Sequence, residues 1–139
     1  ISDEAFYDVL KYSTRPVVAT HSCCRALCNH PRNMTDDMIR ALADKGGVIQ
    51  INFYPVFLEA CADRPSYKRI VDHIDHVVGL VGIDHVGLGS DFDGIDTTPE
   101  GLDDASMFYK IFDEMRLRGY SEQQIEKVAS QNFFNVFSC

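Results

Sequence analysis

Three short runs of apolar, mostly β-branched residues, each followed by an amphipathic helical stretch, constrain this chain more than any other feature. The first run is Val17-Val18-Ala19, opened by Pro16 and closing on Thr20-His21-Ser22. The second is Val48-Ile49-Gln50-Ile51-Asn52-Phe53. The third is His85-Val86-Gly87-Leu88-Gly89-Ser90, which leads into Asp91-Phe92-Asp93-Gly94. Strands that alternate with helices predict an α/β fold with a parallel sheet and right-handed crossovers. The runs are continuous rather than alternating, as in strands covered on both faces.

The helices announce themselves by their caps. Ser2-Asp3-Glu4 precede Phe6, Val9 and Leu10, with the acids where a helix dipole favours them. Thr35 caps a stripe of Met38, Ile39 and Leu42, which Gly46-Gly47 stop. After a loop from Pro55 to Pro65, the spacing of Tyr67, Ile70, Val71, Ile74, Val77 and Val78 predicts a long helix. A further helix is predicted over Ala105–Arg118, broken by Gly119, and Ser121-Glu122 cap a last one through Phe137. The order is one helix, then strand–helix three times, then an extra helix. Three strands make a poor independent fold, and the chain starts with Ile, so it reads as a piece of something longer.

Composition removes several function classes. Thirteen basic against 21 acidic residues leave a net charge of −8, which argues against a surface for nucleic-acid phosphates. An apolar content of 45 % excludes intrinsic disorder. No apolar run approaches the roughly 18 residues of a membrane span, and neither a signal peptide nor a lipid-anchor signal is visible. The five cysteines are odd in number and lack a CxxC pair, so they fit neither a disulfide scaffold nor a zinc knuckle. They read as ordinary reduced thiols, and the expected setting is cytoplasmic.

In parallel α/β architectures, reactive side chains sit at the C-terminal ends of strands. Those ends here carry His21 and Ser22, then Asn52 and Tyr54, then Asp91 and Asp93. Imidazole, amide or phenol, and carboxylate on one rim are what metal-assisted hydrolysis needs. The plain alternative is that strand ends are polar because they emerge into water. A calcium loop fails, because an EF-hand wants its glycine sixth and an oxygen ligand fifth, whereas here Gly94 is fourth and Ile95 fifth. An Asp-x-Asp phosphatase would use Asp91 as nucleophile and Asp93 as acid/base, but Lys127 and Asp103-Asp104 come in the wrong order for it. His73 and His76 lie one helical turn apart, yet they flank an apolar stripe and read as helix surface or packing. His30 falls in a loop, and His85 opens a strand at the end away from the reactive rim.

Several segments, in order, closely resemble the membrane (renal) dipeptidase family of zinc metallopeptidases. They are Thr20-His21-Ser22, Arg25 through Asn33, Asn52-Phe53-Tyr54, Asp72-His73-Ile74-Asp75-His76, Gly87 through Gly94, Pro99 through Leu102 and Asn132-Phe133. The resemblance implies the C-terminal half of an amidohydrolase-like (β/α)8 TIM barrel, an architecture of about 250 residues when complete. It implies two zinc ions per intact site, with His21 as ligand to one of them. Arg32 matches the residue that grips the substrate's C-terminal carboxylate, a task suited to a planar guanidinium fork. Asp91 matches the acid/base that takes a proton from a metal-bridged water and passes it to the departing amine. Tyr54 and Phe57 match the pocket wall, and Asp93 is expected to order its loop through backbone hydrogen bonds. The family's other ligands, a His-x-Asp pair, a bridging Glu and a further His, would lie upstream of Ile1. The implied partners are a dipeptide substrate, the remaining N-terminal half of the barrel and a second copy in a homodimer. The rival reading is a non-catalytic fragment or split subunit.

Overall fold

The computed structural model describes residues 2–138. Three parallel strands, β1 (Val18–Ser22), β2 (Val48–Asn52) and β3 (Val86–Ser90), pair in the order β1-β2-β3. The helices are α1 (Asp3–Tyr12), α2 (Asp36–Asp44), α3 (Pro55–Leu58), α4 (Lys68–Val81), α5 (Tyr109–Leu117), α6 (Glu122–Glu126) and α7 (Asn132–Phe137). The predicted caps do what they should: Ser2 accepts from Ala5 N, Thr35 from Met38 N, and Ser121 forms a capping box with Gln124. Gly46 ends α2 at φ 71°, a left-handed turn that a side chain would resist.

β2 is the middle strand and is buried almost throughout, with Ile49, Ile51 and Asn52 at 0 % exposure. Ile39 and Leu42 of α2, with Ile70, Ile74 and Val77 of α4, join the same core. β1 departs from the expectation of strands covered on both faces. Its Thr20 and His21 are exposed, and among the described residues β1 is an edge strand with nothing paired on its far side. Among the described residues no helix is long and apolar enough to cross a membrane.

Several expectations need correction. His85 does not open β3 but closes a 3₁₀ turn before it, where its Nδ1 meets the Gly47 carbonyl at 2.9 Å. The loop after β2 contains the single-turn helix α3, started by Pro55 at a position that needs no N–H donor. The helix predicted over Ala105–Arg118 is a 3₁₀ turn at Ala105–Met107 followed, after Phe108, by α5. The last helix does run from Ser121 to Phe137, but through a π-helical turn at Lys127–Gln131.

His73 does not flank the apolar stripe but is fully buried within it, so of the two readings, surface or packing, it takes packing. Its Nδ1 accepts from the Cys24 N–H at 3.1 Å, and its Nε2–H donates to the Leu58 carbonyl at 3.0 Å. Only the neutral ring satisfies both partners. The four described cysteines are unbridged; Cys23, Cys24 and Cys28 are buried, and Cys61 is exposed. Burial pushes the Cys24 thiol up to about 12. Cys139 lies outside the described residues.

Desolvation lowers the His73 pKa from 6.5 to about 4. Between those values the unfolded chain takes up a proton that the native ring refuses, so stability falls as the pH drops through this window. The loss should approach about 3 kcal/mol by pH 4 and be absent above pH 6.5. Melting temperatures of the intact protein across this range should show the slope, and His73→Gln should flatten it. Parallel curves for the two proteins would dissociate His73 from the acid sensitivity.

Candidate active site

Parallel pairing brings the C-terminal ends of all three strands to one rim. Both ladders are irregular there: the register shifts between Ala19 and Ser22, and again between Ile51 and Asn52, so that Asn52 pairs with Ser90. Such bulges re-aim the side chains that follow them. Beyond β3 the backbone enters the left-handed region at two non-glycine residues, Ser90 (φ 51°) and Asp91 (φ 94°). Strain of this kind gathers where geometry serves function. Gly94 closes the turn by donating its N–H to the Asp91 carbonyl at 2.9 Å, and a Cβ on it would collide with Asp91 Oδ1.

The result is an open cavity of about 460 Å³ walled by His21, Arg32 and Asp91, with Phe6 and Met38 among its apolar lining. His21 Nδ1 lies 2.9 Å from Thr20 Oγ1. With that nitrogen donating to the hydroxyl, the Nε2 lone pair is left facing Asp91 Oδ1 at 3.8 Å, beyond a hydrogen bond. The other Asp91 oxygen accepts from Asn52 Nδ2 at 2.9 Å. Asn52 Oδ1 in turn accepts from the Tyr54 N–H at 2.6 Å, so the buried amide has both ends engaged.

Arg32 reaches the cavity from the loop between β1 and α2. Its guanidinium carbon lies 5.4 Å from the centre of the Phe57 ring. Phe57 packs against Tyr54 edge to face at 5.2 Å and against His30 at 4.6 Å. Tyr54 and Phe57 therefore stand behind Arg32 rather than lining the cavity between His21 and Asp91. Two residues fix this loop. Asn33 Nδ2 donates to the carbonyls of Cys28 and Phe57, at 2.9 and 2.8 Å. Arg25 forks onto both oxygens of Asp3 at 2.8 Å and also donates to the carbonyls of Asn33 and Pro31.

Asp93 corrects a further expectation. It is exposed and makes no hydrogen bond among the described residues; the backbone bond from Gly94 orders the turn instead. Lys127, the one basic residue weighed for an Asp-x-Asp phosphatase, is tied to Asp84 at 2.6 Å, on the far side of β3 from Asp91. His76 pairs with Asp36 at 2.8 Å, bridging α4 to the start of α2. Sequence reasoning placed Asn52 on this rim without giving it a role. The signal was present: a carboxamide at the end of the central strand can touch both neighbours.

The donors suit a metal only in part. An imidazole nitrogen with its lone pair free, beside a carboxylate, is the ligand chemistry of a borderline cation such as zinc. Among the described residues, however, no group of three or more His, Cys, Asp or Glu side chains is placed to hold an ion. His21 fits as one ligand of a site that needs others.

The family model for membrane dipeptidases, peptidase family M19, matches residues 1–139. The chain belongs to that family. An uncharacterised protein encoded 5′ of pqqA in Klebsiella pneumoniae is 42 % identical over 139 residues, covering 98 % of this chain and 51 % of its own length. The dipeptidase tcpJ of Claviceps purpurea is 36 % identical over 136 residues, covering 98 % of this chain and 32 % of its own. The crystal structure of a Rhodobacter sphaeroides metallo peptidase, liganded with a phosphinate mimic of the dipeptide L-Ala-D-Ala, superposes with a TM-score of 0.91 at 32 % identity. That alignment covers 98 % of this chain and 39 % of the other. This membrane dipeptidase-family chain thus spans between a third and a half of the length of these relatives. Its three parallel strands are the expected part of a larger barrel.

The loop that carries Arg32 should depend on the Arg25 fork. In Arg25→Lys the charge remains but the bidentate bond to Asp3 and the bonds to two carbonyls cannot all be kept. Amide hydrogen exchange at Arg32 and Asn33 should accelerate while β2 stays protected. Unchanged exchange in the loop would show that Arg25 does not hold it.

Proposed function

We propose that this chain supplies one side of the active site of a zinc-dependent dipeptidase. The observation that carries the reading is the convergence of His21, Arg32 and Asp91, from three separate segments, on one cavity. Family membership supports a metal cofactor and dipeptide hydrolysis. A pair of zinc ions, one of them held by His21, would supply a water of lowered pKa and a Lewis acid for the scissile carbonyl.

The chain's own residues do the rest. Arg32 is a fixed positive charge whose stacking on Phe57 leaves its fork directed at the cavity. A free C-terminal carboxylate there forms charge-assisted hydrogen bonds, whereas a longer peptide would bring a neutral amide. Selection for dipeptides follows from that single contact. Asp91 lines the cavity beside His21, a place from which it can act as general base. It takes the proton of the attacking water, and as the C–N bond breaks it returns that proton to the leaving nitrogen.

Three measurements on the intact protein test this. Arg32→Ala should lower kcat/KM for a dipeptide by about 10–10²-fold, the worth of a charged hydrogen bond, and erase the preference over the dipeptide amide. Asp91→Asn should lower kcat by about 10²–10⁴-fold with the fold intact. Chelation should abolish hydrolysis and zinc should restore it. Full activity after exhaustive chelation would refute the metal-dependent reading, and absence of hydrolysis with every divalent metal would favour a non-catalytic piece.

A further inference from the structure

We propose that Asn52 is a positioning residue that aims the Asp91 carboxylate at the reacting proton. The inference deepens the dipeptidase reading and rests on it. Three independent observations meet at this residue. Asn52 has 0 % exposure, so its amide has no water to fall back on and its two hydrogen bonds fix its orientation. It donates to Asp91 Oδ2, leaving Oδ1 as the oxygen turned towards His21. The residue it holds sits at φ 94°, a backbone state that an aspartate adopts only when its surroundings impose it.

The geometry also explains why an amide is required. A carboxylate at position 52 could still accept from the Tyr54 N–H but would face Asp91 with like charge. An alkyl side chain would leave the Tyr54 N–H and one Asp91 oxygen without partners. The carboxamide accepts from the Tyr54 N–H with one end and donates to Asp91 with the other, a span that the single oxygen of a shorter serine hydroxyl does not reproduce. Because Asn52 ends β2 and Asp91 follows β3, the bond also spans the bulge where the two strands shift register. Through the Tyr54 backbone, the same amide links the acid–base carboxylate to the aromatic group behind Arg32.

The test compares Asn52→Asp and Asn52→Ser with wild type in the intact, metal-loaded protein, using L-Ala-L-Ala as substrate. Each should lower kcat by about 10–10²-fold, the scale expected for a misplaced catalytic group, with KM unchanged. Measuring both keeps the test readable if one variant does not fold. In an Asp91→Asn background the same substitutions should change kcat little, because Asn52 acts through Asp91; a merely structural role would lower kcat equally in both backgrounds and would overturn the proposal. In the metal-free protein, Asn52→Ser should accelerate amide exchange over Phe92–Gly94, and unchanged exchange would overturn it too. Wild-type kcat in Asp91→Asn would sink the acid–base reading itself. A slow Asp91→Asn beside fully active Asn52 variants would sink only the positioning role.

Discussion

Parallel strand pairing is the constraint on which the rest of this structure depends. Antiparallel neighbours would send successive strand ends to opposite rims, but parallel ones deliver every C-terminal end to the same rim. His21 and Asp91 are 70 positions apart and come within 3.8 Å because β1, β2 and β3 all run the same way and stand side by side. The helices α2 and α4 are the returns that make this direction possible, and their apolar stripes form the core beneath the sheet. Chemistry at the rim is thus a consequence of topology before it is a matter of individual residues.

Topology alone would leave the rim loosely aimed. The two register shifts and the left-handed backbone at Ser90 and Asp91 refine the aim, and they are not free. A non-glycine residue in that region costs about 1–3 kcal/mol. Asn52 offsets part of this by a buried hydrogen bond to a charged group, and Gly94 avoids the collision that any other residue would cause. A strained carboxylate held between an amide and a glycine is a costly arrangement if its only task is to end a strand. Its cost is intelligible if the direction of Asp91 Oδ1 matters.

Most of the frame was legible because its signals are local. Ser2, Thr35 and Ser121 cap their helices through bonds three residues long, and Gly46 stops α2 through its own φ. The strand runs and the polar ends with His21 and Asp91 follow from the same short-range reading. What escaped depends on contacts between distant segments. His73 looked like a flanking polar residue because periodicity places it beside the stripe; only Cys24 and Leu58, far away in the chain, make its burial affordable. The roles of Asn33 and Arg25 in holding the Arg32 loop, and of Asn52 in holding Asp91, are likewise set by partners that no local pattern names. The break at Phe108 has the same origin: its ring packs on Phe53 and Phe92 at 5.6 and 6.0 Å, and that long-range contact accompanies the change from 3₁₀ turn to α5.

Arg32 and Asp91, two of the charged groups on the cavity, are supported in different ways. Arg32 sits on an exposed loop that is pinned by Arg25 and Asn33, and its guanidinium lies over the Phe57 ring. Cation–π contact tolerates sliding better than a hydrogen bond does, a latitude that would suit the carboxylate recognition proposed for Arg32. Asp91 has no such latitude: its backbone is strained, one oxygen is held and a glycine fits under the other. The two supports are linked through Asn52: Cys23 Sγ, on the loop that carries Arg32, donates to the Asn52 carbonyl, while the Asn52 side chain engages both Asp91 and the Tyr54 N–H.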